Sequence, residues 1–258
     1  MTDAKQMGYG LRAWGTVNGK YPDVFDDFST DNPNGVNNMP VYRLEEDNIY
    51  FPLPELAEPD GLLAVGGDLS VERLILAYSN GIFPWYSKED PILWWCPKER
   101  FIIRPKDIHV SHSLNKFMRK HDTEVVFDRD FADTIHRCRM RWENESGTWI
   151  TDEMEEAYCK LHDSGYALSV ESFVYGRLAG GLYGVILGKC FFGESMFSYS
   201  ENGSKIALVK LAELLADNDF LMIDCQFHTA HLESMGGVKI SYSEYCGLLE
   251  QGLTLSLY

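Results

Sequence analysis

The sequence lacks any apolar stretch long enough to cross a bilayer, and it has no basic segment followed by an apolar one at its start. A transmembrane helix needs about 20 apolar residues, and a secretory signal needs that basic-then-apolar order. Pairs of cysteines spaced as CxxC are also missing, and the six cysteines are scattered over 258 residues. A chain of this length does not need disulfides to hold its core. We therefore expect a cytoplasmic protein with reduced thiols and no association with membranes.

Basic residues are scarce, because 23 Lys and Arg stand against 39 Asp and Glu and give a formal net charge of −16. This balance opposes nonspecific attraction to nucleic acid, since phosphate binding draws on clustered Lys and Arg. A nucleic-acid partner therefore requires a local basic patch. The best candidates are the segment Arg104–Lys120 and the run His136–Arg141. Such charge runs are also typical of a solvated helix face.

The remaining composition, 45% apolar and 24% charged, is typical of a globular chain of one or two domains. Residues 1–38 are rich in Gly, Asp and Asn and show little apolar periodicity, so we expect a poorly ordered extension. Residues 39–100 are rich in Pro and aromatics and predict a small N-terminal α/β domain, with a helix over 71–81. Residues 101–258 predict a second domain.

Beyond residue 150 the pattern predicts a helix, three antiparallel strands, and then alternating helices and strands. Thr151 is a good cap for the first helix, and Ser204 can cap a helix that runs to residue 218. The strands are expected at 166–173, 178–188, 190–198, 220–226 and 238–242, and further helices at 229–236 and 243–252. This order indicates an α+β fold in which one sheet packs against helices. It fits the acyltransferase (GNAT) fold of the N-acetyltransferases.

Two predicted apolar strands contain polar residues, and these residues mark a candidate site. In LMIDCQFHTAHL, Asp224 and Gln226 stand two apart, so a strand would project them from one face and Cys225 from the other. A carboxylate beside a carboxamide can hold the proton of a nucleophile through hydrogen bonds. In FFGESMFS, Glu194 interrupts an apolar strand, where a carboxylate needs a cation or hydrogen-bond donors. Each could also be a satisfied polar group at a strand end.

A zinc site is the alternative for the same stretch, because Cys225, His228 and His231 are all potential ligands. The two histidines are three apart at a strand-to-helix junction, and strand alternation turns Cys225 away from its neighbours. A second group of Cys or His residues is also missing from the sequence. We therefore expect no metal.

The sequence resembles the leucyl/phenylalanyl-tRNA–protein transferases of bacteria from about Tyr42 to Leu248. The resemblance rests on long, specific strings: FPLPELAEPDGLLAVGGDLS, GIFPWYSKEDPILWWCP, GTWITDEMEEAY, GGLYGVILG, FFGESMFS, NGSK and IDCQ. It implies an enzyme that takes Leu or Phe, with Met as a further candidate, from its tRNA. The amino acid is joined to the N-terminal amine of a protein beginning with Arg or Lys, marking it for N-end-rule degradation. It also implies a GNAT-like acyltransferase domain after a small N-terminal domain. We expect a monomer that needs no cofactor.

The resemblance also assigns site residues. Asp224 and Gln226 are implied as the catalytic pair, with Glu194 near the reacting centre or paired with the cationic acceptor residue. A dry pocket for the donor side chain is implied for Leu182, Met196, Leu208 and Ile223. Stacking surfaces for the terminal adenosine are implied for Trp85, Trp149, Tyr158 and Phe191.

Two other functions fit an acyltransferase fold. A CoA-dependent N-acyltransferase needs a phosphate-cradling loop of the form Q/R-x-x-G-x-G/A between a strand and a helix. The nearest segment, RLAGGL at Arg177–Leu182, lacks the last small residue and leads into a strand. An inactive tRNA- or peptide-binding module is the third hypothesis, against which the presence of Asp224, Gln226 and Glu194 argues.

Overall fold

A computed structural model describes residues 41–145 and 148–255. The expected extension at residues 1–38 lies outside the described residues. The chain divides into two compact units between Lys98 and Glu99. Within the described ranges, no helix combines the length and apolar character that spanning a membrane requires.

Over its described residues, 41–98, the N-terminal unit contains four short strands and one α-helix. They are β1 (Tyr42–Leu44), β2 (Leu62–Gly66), α1 (Val71–Ser79), β3 (Phe83–Pro84) and β4 (Leu93–Trp95). The strands form one sheet in the order β1-β2-β4-β3, with β1 and β2 parallel and the other pairs antiparallel. The guanidinium of Arg73 on α1 is fully buried and bonds the Asp68 carboxylate and the carbonyls of Glu45, Glu46 and Asn48. These bonds tie the predicted helix to the loop after β1.

The C-terminal unit is a mixed α+β structure around one sheet. Its elements are β5 (Glu99–Ile103), α2 (His112–Lys120), β6 (Thr123–Phe127), α3 (Phe131–Glu145), α4 (Asp152–Asp163), β7 (Ala167–Val174), β8 (Arg177–Leu187), β9 (Cys190–Ser198), α5 (Gly203–Asp217), β10 (Met222–Asp224), α6 (Ala230–Ser234), β11 (Val238–Ser241) and α7 (Tyr242–Thr254). The strand order is β11-β5-β10-β9-β8-β7-β6. Within this described sheet, β9 and β10 are parallel and all other neighbours are antiparallel.

The predicted order of elements beyond residue 150 is confirmed, and so is the Thr151 cap, whose hydroxyl accepts the Met154 N–H at 3.2 Å. The glycines of RLAGGL lie inside β8 and pair with β7 and β9, so their amides belong to the sheet. Two expectations are wrong. Helix α5 starts after Asn202, which adopts a left-handed φ of 66°, and Ser204 lies inside the helix. Strand β10 ends at Asp224, two residues earlier than predicted.

Adjacent residues of a strand point to opposite faces, which identifies what covers each side of the sheet. Leu182 of β8 belongs to the apolar cluster around α5. Its neighbour Tyr183 contacts Phe131 of α3 and Tyr158 of α4, with ring centroids 5.7 and 5.8 Å away. One face therefore packs against α5, and the opposite face against α3 and α4.

The start of α5 lies directly on the backbone of β8. A Cβ placed on Gly203 would come within 2.0 Å of the Ala179 carbonyl oxygen, so this position has no room for a side chain. The Ser204 N–H donates to the Ser198 hydroxyl at the end of β9. The first turn of α5 is thereby fixed beside the end of β9.

Candidate active site at the end of strand β10

The candidate site lies where two parallel strands separate. Strands β9 and β10 pair from Cys190 and Met222 as far as Phe192 and Asp224. Beyond that point β10 ends, while β9 continues to Ser198. Strand pairing therefore stops between the second half of β9 and the chain that follows Asp224. We call this place the opening, and side chains from both segments border it.

Asp224 lies beneath this opening in a buried ion pair. Its side chain is fully buried, and its Oδ2 accepts from the guanidinium of Arg100 on β5 and from the Tyr245 hydroxyl of α7 at 2.8 Å. Arg100 also donates to the Tyr245 hydroxyl at 3.0 Å and stacks over its ring. Since Ile223 belongs to the cluster around α5, Asp224 and α7 lie on the opposite face, with α3 and α4. Asp224 is thus a fixed part of the structure beneath the opening.

Gln226 is placed by a backbone turn and not by strand alternation, which corrects the sequence argument. The other carboxylate oxygen of Asp224, Oδ1, accepts the Gln226 N–H at 2.9 Å. This is the local side-chain bond with which Asp commonly turns a chain. Gln226 has a φ of 55°, in the left-handed region that costs a non-glycine residue roughly 1–2 kcal/mol. The buried Asp224 therefore holds Gln226 in a strained conformation of the kind that clusters at functional sites.

Glu194 faces Gln226 across the opening. The Gln226 Nε2 donates to Glu194 Oε1 at 3.3 Å, and the Tyr158 hydroxyl of α4 donates to Glu194 Oε2 at 3.2 Å. The expectation that this carboxylate meets hydrogen-bond donors is confirmed. A carboxylate can only accept hydrogen bonds, so it fixes which end of the Gln226 amide faces it. The amide nitrogen points to Glu194, and the carbonyl oxygen Oε1 points elsewhere.

Sequence reasoning missed the two partners of Asp224. Arg100 stands in PKERFII, where it is the last of three consecutive charged residues before an apolar run, so the local sequence does not mark it as buried. Tyr245 has no signal either, because an aromatic residue on the buried side of a terminal helix is typical of core packing. Its partnership depends on tertiary structure.

Two of the three candidate zinc ligands, Cys225 and His228, have separate partners. The Cys225 thiol lies 3.6 Å from the Ile223 carbonyl oxygen and packs against the α5 cluster, on the face that alternation predicted. His228 Nε2 contacts Glu233 at 3.0 Å. Over residues 41–145 and 148–255, no group of three or more His, Cys, Asp or Glu side chains is arranged to hold a metal ion.

If the site is catalytic, the variant Cys225→Ala should catalyse its reaction at a rate within about threefold of that of the unchanged protein. The thiol lies on the face away from Glu194, and burial raises its pKa well above the usual range, so the reactive thiolate is suppressed. The measurement is the steady-state rate at saturating substrates. A loss of about 100-fold, the size expected for removing a group that stabilises the transition state, would show instead that Cys225 takes part in the chemistry.

The residues expected to form the donor pocket share one location. Leu182, Leu208 and Ile223 are almost fully buried in the α5 cluster, and Met196 is half-buried at its edge. Leu182 and Met196 are direct partners in the β8–β9 ladder. All four therefore lie on the α5 face of the sheet, with Met196 on the part of β9 that borders the opening.

The residues expected to stack against adenosine differ in exposure. Tyr158 and Phe191 are fully buried, the first bonded to Glu194 and the second within the α5 cluster. Trp149 is half-buried in the segment before α4. Trp85, in the N-terminal unit, is 42% exposed and makes an edge contact with Trp95.

The two basic segments do not form uniform charged faces. In the first, Arg104 pairs with Glu244 and Lys106 with Asp219. A surface depression along α2 is lined by His112, Asn115, Lys116, Arg119 and Lys120. In the second, Arg139 is bound by the carboxylates of Asp152 and Glu155. The α2 face therefore retains the denser positive charge.

Comparison with known proteins matches the chain to one family. A family model described as leucyl/phenylalanyl-tRNA protein transferase matches residues 102–250, and the model of its N-terminal domain matches residues 67–98. A leucyl/phenylalanyl-tRNA–protein transferase of Syntrophobacter fumaroxidans is 53% identical over 83% of this chain and 92% of its own. One of Azotobacter vinelandii is 49% identical over 82% of this chain and 95% of its own.

A solved aminoglycoside acetyltransferase from an uncultured soil metagenomic sample aligns over 40% of this chain and 75% of its own, with 13% identity and a TM-score of 0.30. A likeness this remote carries no inference. The family matches place the chain among aminoacyltransferases. It belongs to the leucyl/phenylalanyl-tRNA–protein transferase family.

Proposed function

We propose that this protein transfers Leu or Phe from aminoacyl-tRNA to the N-terminal amine of proteins that begin with Arg or Lys, marking them for N-end-rule degradation. Family membership supports the reaction class. The observation that carries the site is the contact between Gln226 and Glu194 across the opening, with Gln226 anchored by the buried Asp224. This arrangement offers hydrogen-bonding groups on both sides of a gap in the sheet.

We also propose that residues 101–258 form a GNAT-like acyltransferase domain and residues 39–100 a small N-terminal domain. The support is the element order from β6 to β10: a strand, two helices, three antiparallel strands, a helix, and a strand parallel to the third of those three. The opening between that parallel pair provides the place for an acyl donor. Transfer itself needs no covalent intermediate, because an aminoacyl ester is already activated.

The proposed mechanism is one of positioning. The acceptor nitrogen attacks the ester carbonyl carbon, the bond from that carbon to the ribose oxygen breaks, and one proton moves from the amine to the departing oxygen. Gln226 Oε1, turned away from Glu194, accepts a hydrogen bond from the attacking amine and aligns it. A neutral carboxamide is a very weak base, so the ribose hydroxyl next to the ester relays the proton. Holding the two reactants in this geometry supplies most of the acceleration.

Glu194 is proposed to bind the positive charge of the acceptor. Its carboxylate is oriented by the Tyr158 hydroxyl on one side and the Gln226 amide on the other. An Arg or Lys side chain, or the ammonium form of the N-terminus, gains a charge-assisted bond there. This accounts for a preference for basic N-terminal residues.

The donor is proposed to lie along β9. Its side chain enters beside Met196, whose flexible thioether suits both a branched and a flat side chain, and contacts Leu182, Leu208, Ile223 and Phe191. The terminal adenine stacks on Trp149, a contact of roughly 1–3 kcal/mol. The exposed Trp85 remains a candidate for a further contact with the RNA. The basic α2 face binds phosphates of the tRNA body.

A transfer assay tests this function. Purified protein, Phe-tRNA carrying labelled Phe and a peptide beginning with Arg should yield a Phe-Arg peptide at low salt. The same peptide with an acetylated N-terminus is the matched control and should gain no label, because its nitrogen cannot attack. Raising the salt from 50 to 200 mM should weaken donor binding at least about tenfold, since several phosphates are neutralised.

An assay with acetyl-CoA and the same peptide distinguishes aminoacyl transfer from the main alternative, CoA-dependent acyl transfer. Acetylation of the Arg peptide, with no Phe transferred, would establish a CoA-dependent N-acyltransferase in its place. Tight binding of Phe-tRNA with neither reaction would establish a binding module.

A further inference from the structure

The second half of strand β9 has one edge with no partner strand among the described residues. The pairing of β9 with β10 stops at Asp224, while its pairing with β8 continues to Ser198. The chain that follows Asp224 stays beside β5, since the Phe101 N–H donates to the Gln226 carbonyl at 3.3 Å. The second half of β9 is therefore an unpaired edge in the middle of the strand order.

The register of β8 and β9 shows which main-chain groups point to this edge. In an antiparallel pair, residues bonded to the partner strand alternate with residues whose N–H and C=O point away from it. The Tyr199 N–H donates to the Ala179 carbonyl at 2.8 Å, so Tyr199 occupies a bonded position. Counting back along the register, Met196 and Ser198 occupy the alternate positions. Their N–H and C=O groups therefore point away from β8, toward the open edge.

Three of these four groups are available to a ligand. The Met196 carbonyl accepts from Arg141 of α3 at 2.8 Å. Among the described residues, nothing bonds the Met196 N–H, the Ser198 N–H or the Ser198 carbonyl. Met196 is half-buried and Ser198 is exposed, so a ligand can reach this edge. Residues 195–198 also carry neither proline nor charge, the features that commonly protect an edge from pairing.

The proposed reaction favours an acceptor polypeptide as the missing strand. Its acceptors are many proteins that share only their first residue, so contacts beyond that residue must use groups that every peptide has. Main-chain N–H and C=O groups meet this requirement, and strand addition to a sheet edge binds extended peptides through them. The edge also begins at a suitable place. Glu194, the proposed site for the positive charge of the acceptor, lies two residues before Met196, about 7 Å along β9.

We propose that the acceptor polypeptide pairs as an added strand with the edge of β9 at Met196 and Ser198. The inference rests on the proposed function and names how the same site binds its acceptor. The acceptor runs parallel to β9, from Glu194 toward Ser198. Its first carbonyl accepts the Met196 N–H, its third carbonyl accepts the Ser198 N–H, and its fifth N–H donates to the Ser198 carbonyl. The donor does not compete, because it contacts the Met196 side chain above the sheet, whereas the acceptor lies in the plane of the sheet.

Backbone N-methylation of the acceptor tests this pairing with the unchanged protein. The acceptor is a hexapeptide amide of Arg followed by five Ala, assayed with Phe-tRNA, and arginine amide is the minimal acceptor. The hexapeptide should have a kcat/KM about ten- to 100-fold higher than arginine amide, the range for two or three net hydrogen bonds. A methyl group on the third or the fifth nitrogen, which face β9, should lower kcat/KM at least about fivefold. The fourth nitrogen faces away, so its methylation is the matched control and should change kcat/KM less than about twofold.

Hydrogen exchange gives a second readout that does not depend on turnover. In the absence of a donor, saturating hexapeptide should slow exchange of the Met196 and Ser198 amides at least about tenfold, because both become hydrogen-bonded. Arginine amide lacks the third carbonyl and should leave the exchange rate of the Ser198 amide unchanged.

The outcomes separate this contact from the function itself. If Phe is transferred to the hexapeptide but methylation has the same effect at the third, fourth and fifth nitrogens, the strand pairing is wrong and the function stands. Protection of the two amides by 3′-phenylalanyl adenosine, and not by the hexapeptide, would assign the edge to the donor and would also overturn the pairing. If neither acceptor gains Phe, the proposed function fails.

Discussion

Replacing Gln226 by Gly should lower the single-turnover rate of transfer by about 100-fold or more while the protein remains folded. The loss is the size expected for removing one preorganised hydrogen-bonding group from an active site. Glycine adopts the left-handed backbone of this position freely, so relief of strain offsets the lost contact with Glu194. We expect the free energy of unfolding to stay within about 1 kcal/mol of the parent. Rapid-quench transfer and urea unfolding measure the two quantities.

Cys225→Ala is the matched control, because it alters the adjacent residue on the opposite face. It should keep both the rate and the fold. A Gln226→Gly variant that transfers Phe as fast as the parent would remove Gln226 from the mechanism. A variant that loses rate and stability together would show a structural role only.

Replacing Asp224 by Asn should destabilise the protein by about 3–5 kcal/mol, the cost of leaving a buried charge without its partner. The charge concerned is the Arg100 guanidinium, which is almost fully buried beside Asp224 and Tyr245. Transfer should also fall, because the Asn amide has only one oxygen. If that oxygen accepts from Arg100 and Tyr245, the NH2 group faces the Gln226 N–H and the anchor of Gln226 is lost. The measurement is urea unfolding at 25 °C, followed by transfer at a temperature where the variant is folded.

A double replacement separates these two effects. Exchanging Arg100 for Met together with Asp224 for Leu removes both charges, and an apolar pair in place of a buried ion pair is often neutral or stabilising. The double variant should therefore be more stable than Asp224→Asn by at least about 1 kcal/mol. Its transfer rate should remain low, because a Leu side chain cannot accept the Gln226 N–H. If both variants are equally unstable, the unpaired charge of Arg100 is not the cause of the lost stability.

Much of the fold could be predicted because its signals are local. The Thr151 cap, the three strands with turns between them and the apolar face of α5 all lie within short windows of sequence. The prediction for the end of β10, beside the site, was wrong, and the reason is also local. The Asp224 carboxylate competes for the Gln226 N–H and stops the strand, while the apolar-to-polar pattern alone favours a longer strand.

The candidate site was only partly visible in the sequence. Glu194 and Asp224 stood out because a carboxylate in an apolar strand needs partners, but the identity of those partners depends on contacts between distant segments. Arg100 is 124 residues from Asp224, and Tyr158 is 36 residues from Glu194.

A double-mutant cycle in single-turnover transfer tests the central claim, that Glu194 and Gln226 act as one positioning unit. The variants are Glu194→Gln, Gln226→Gly and their combination, assayed with saturating Phe-tRNA and an Arg-initiated peptide. Residues that act as a unit give strongly non-additive losses, so the combined variant should be no more than about threefold slower than the slower single variant. Losses that multiply, or single variants with the parental rate, would contradict the account.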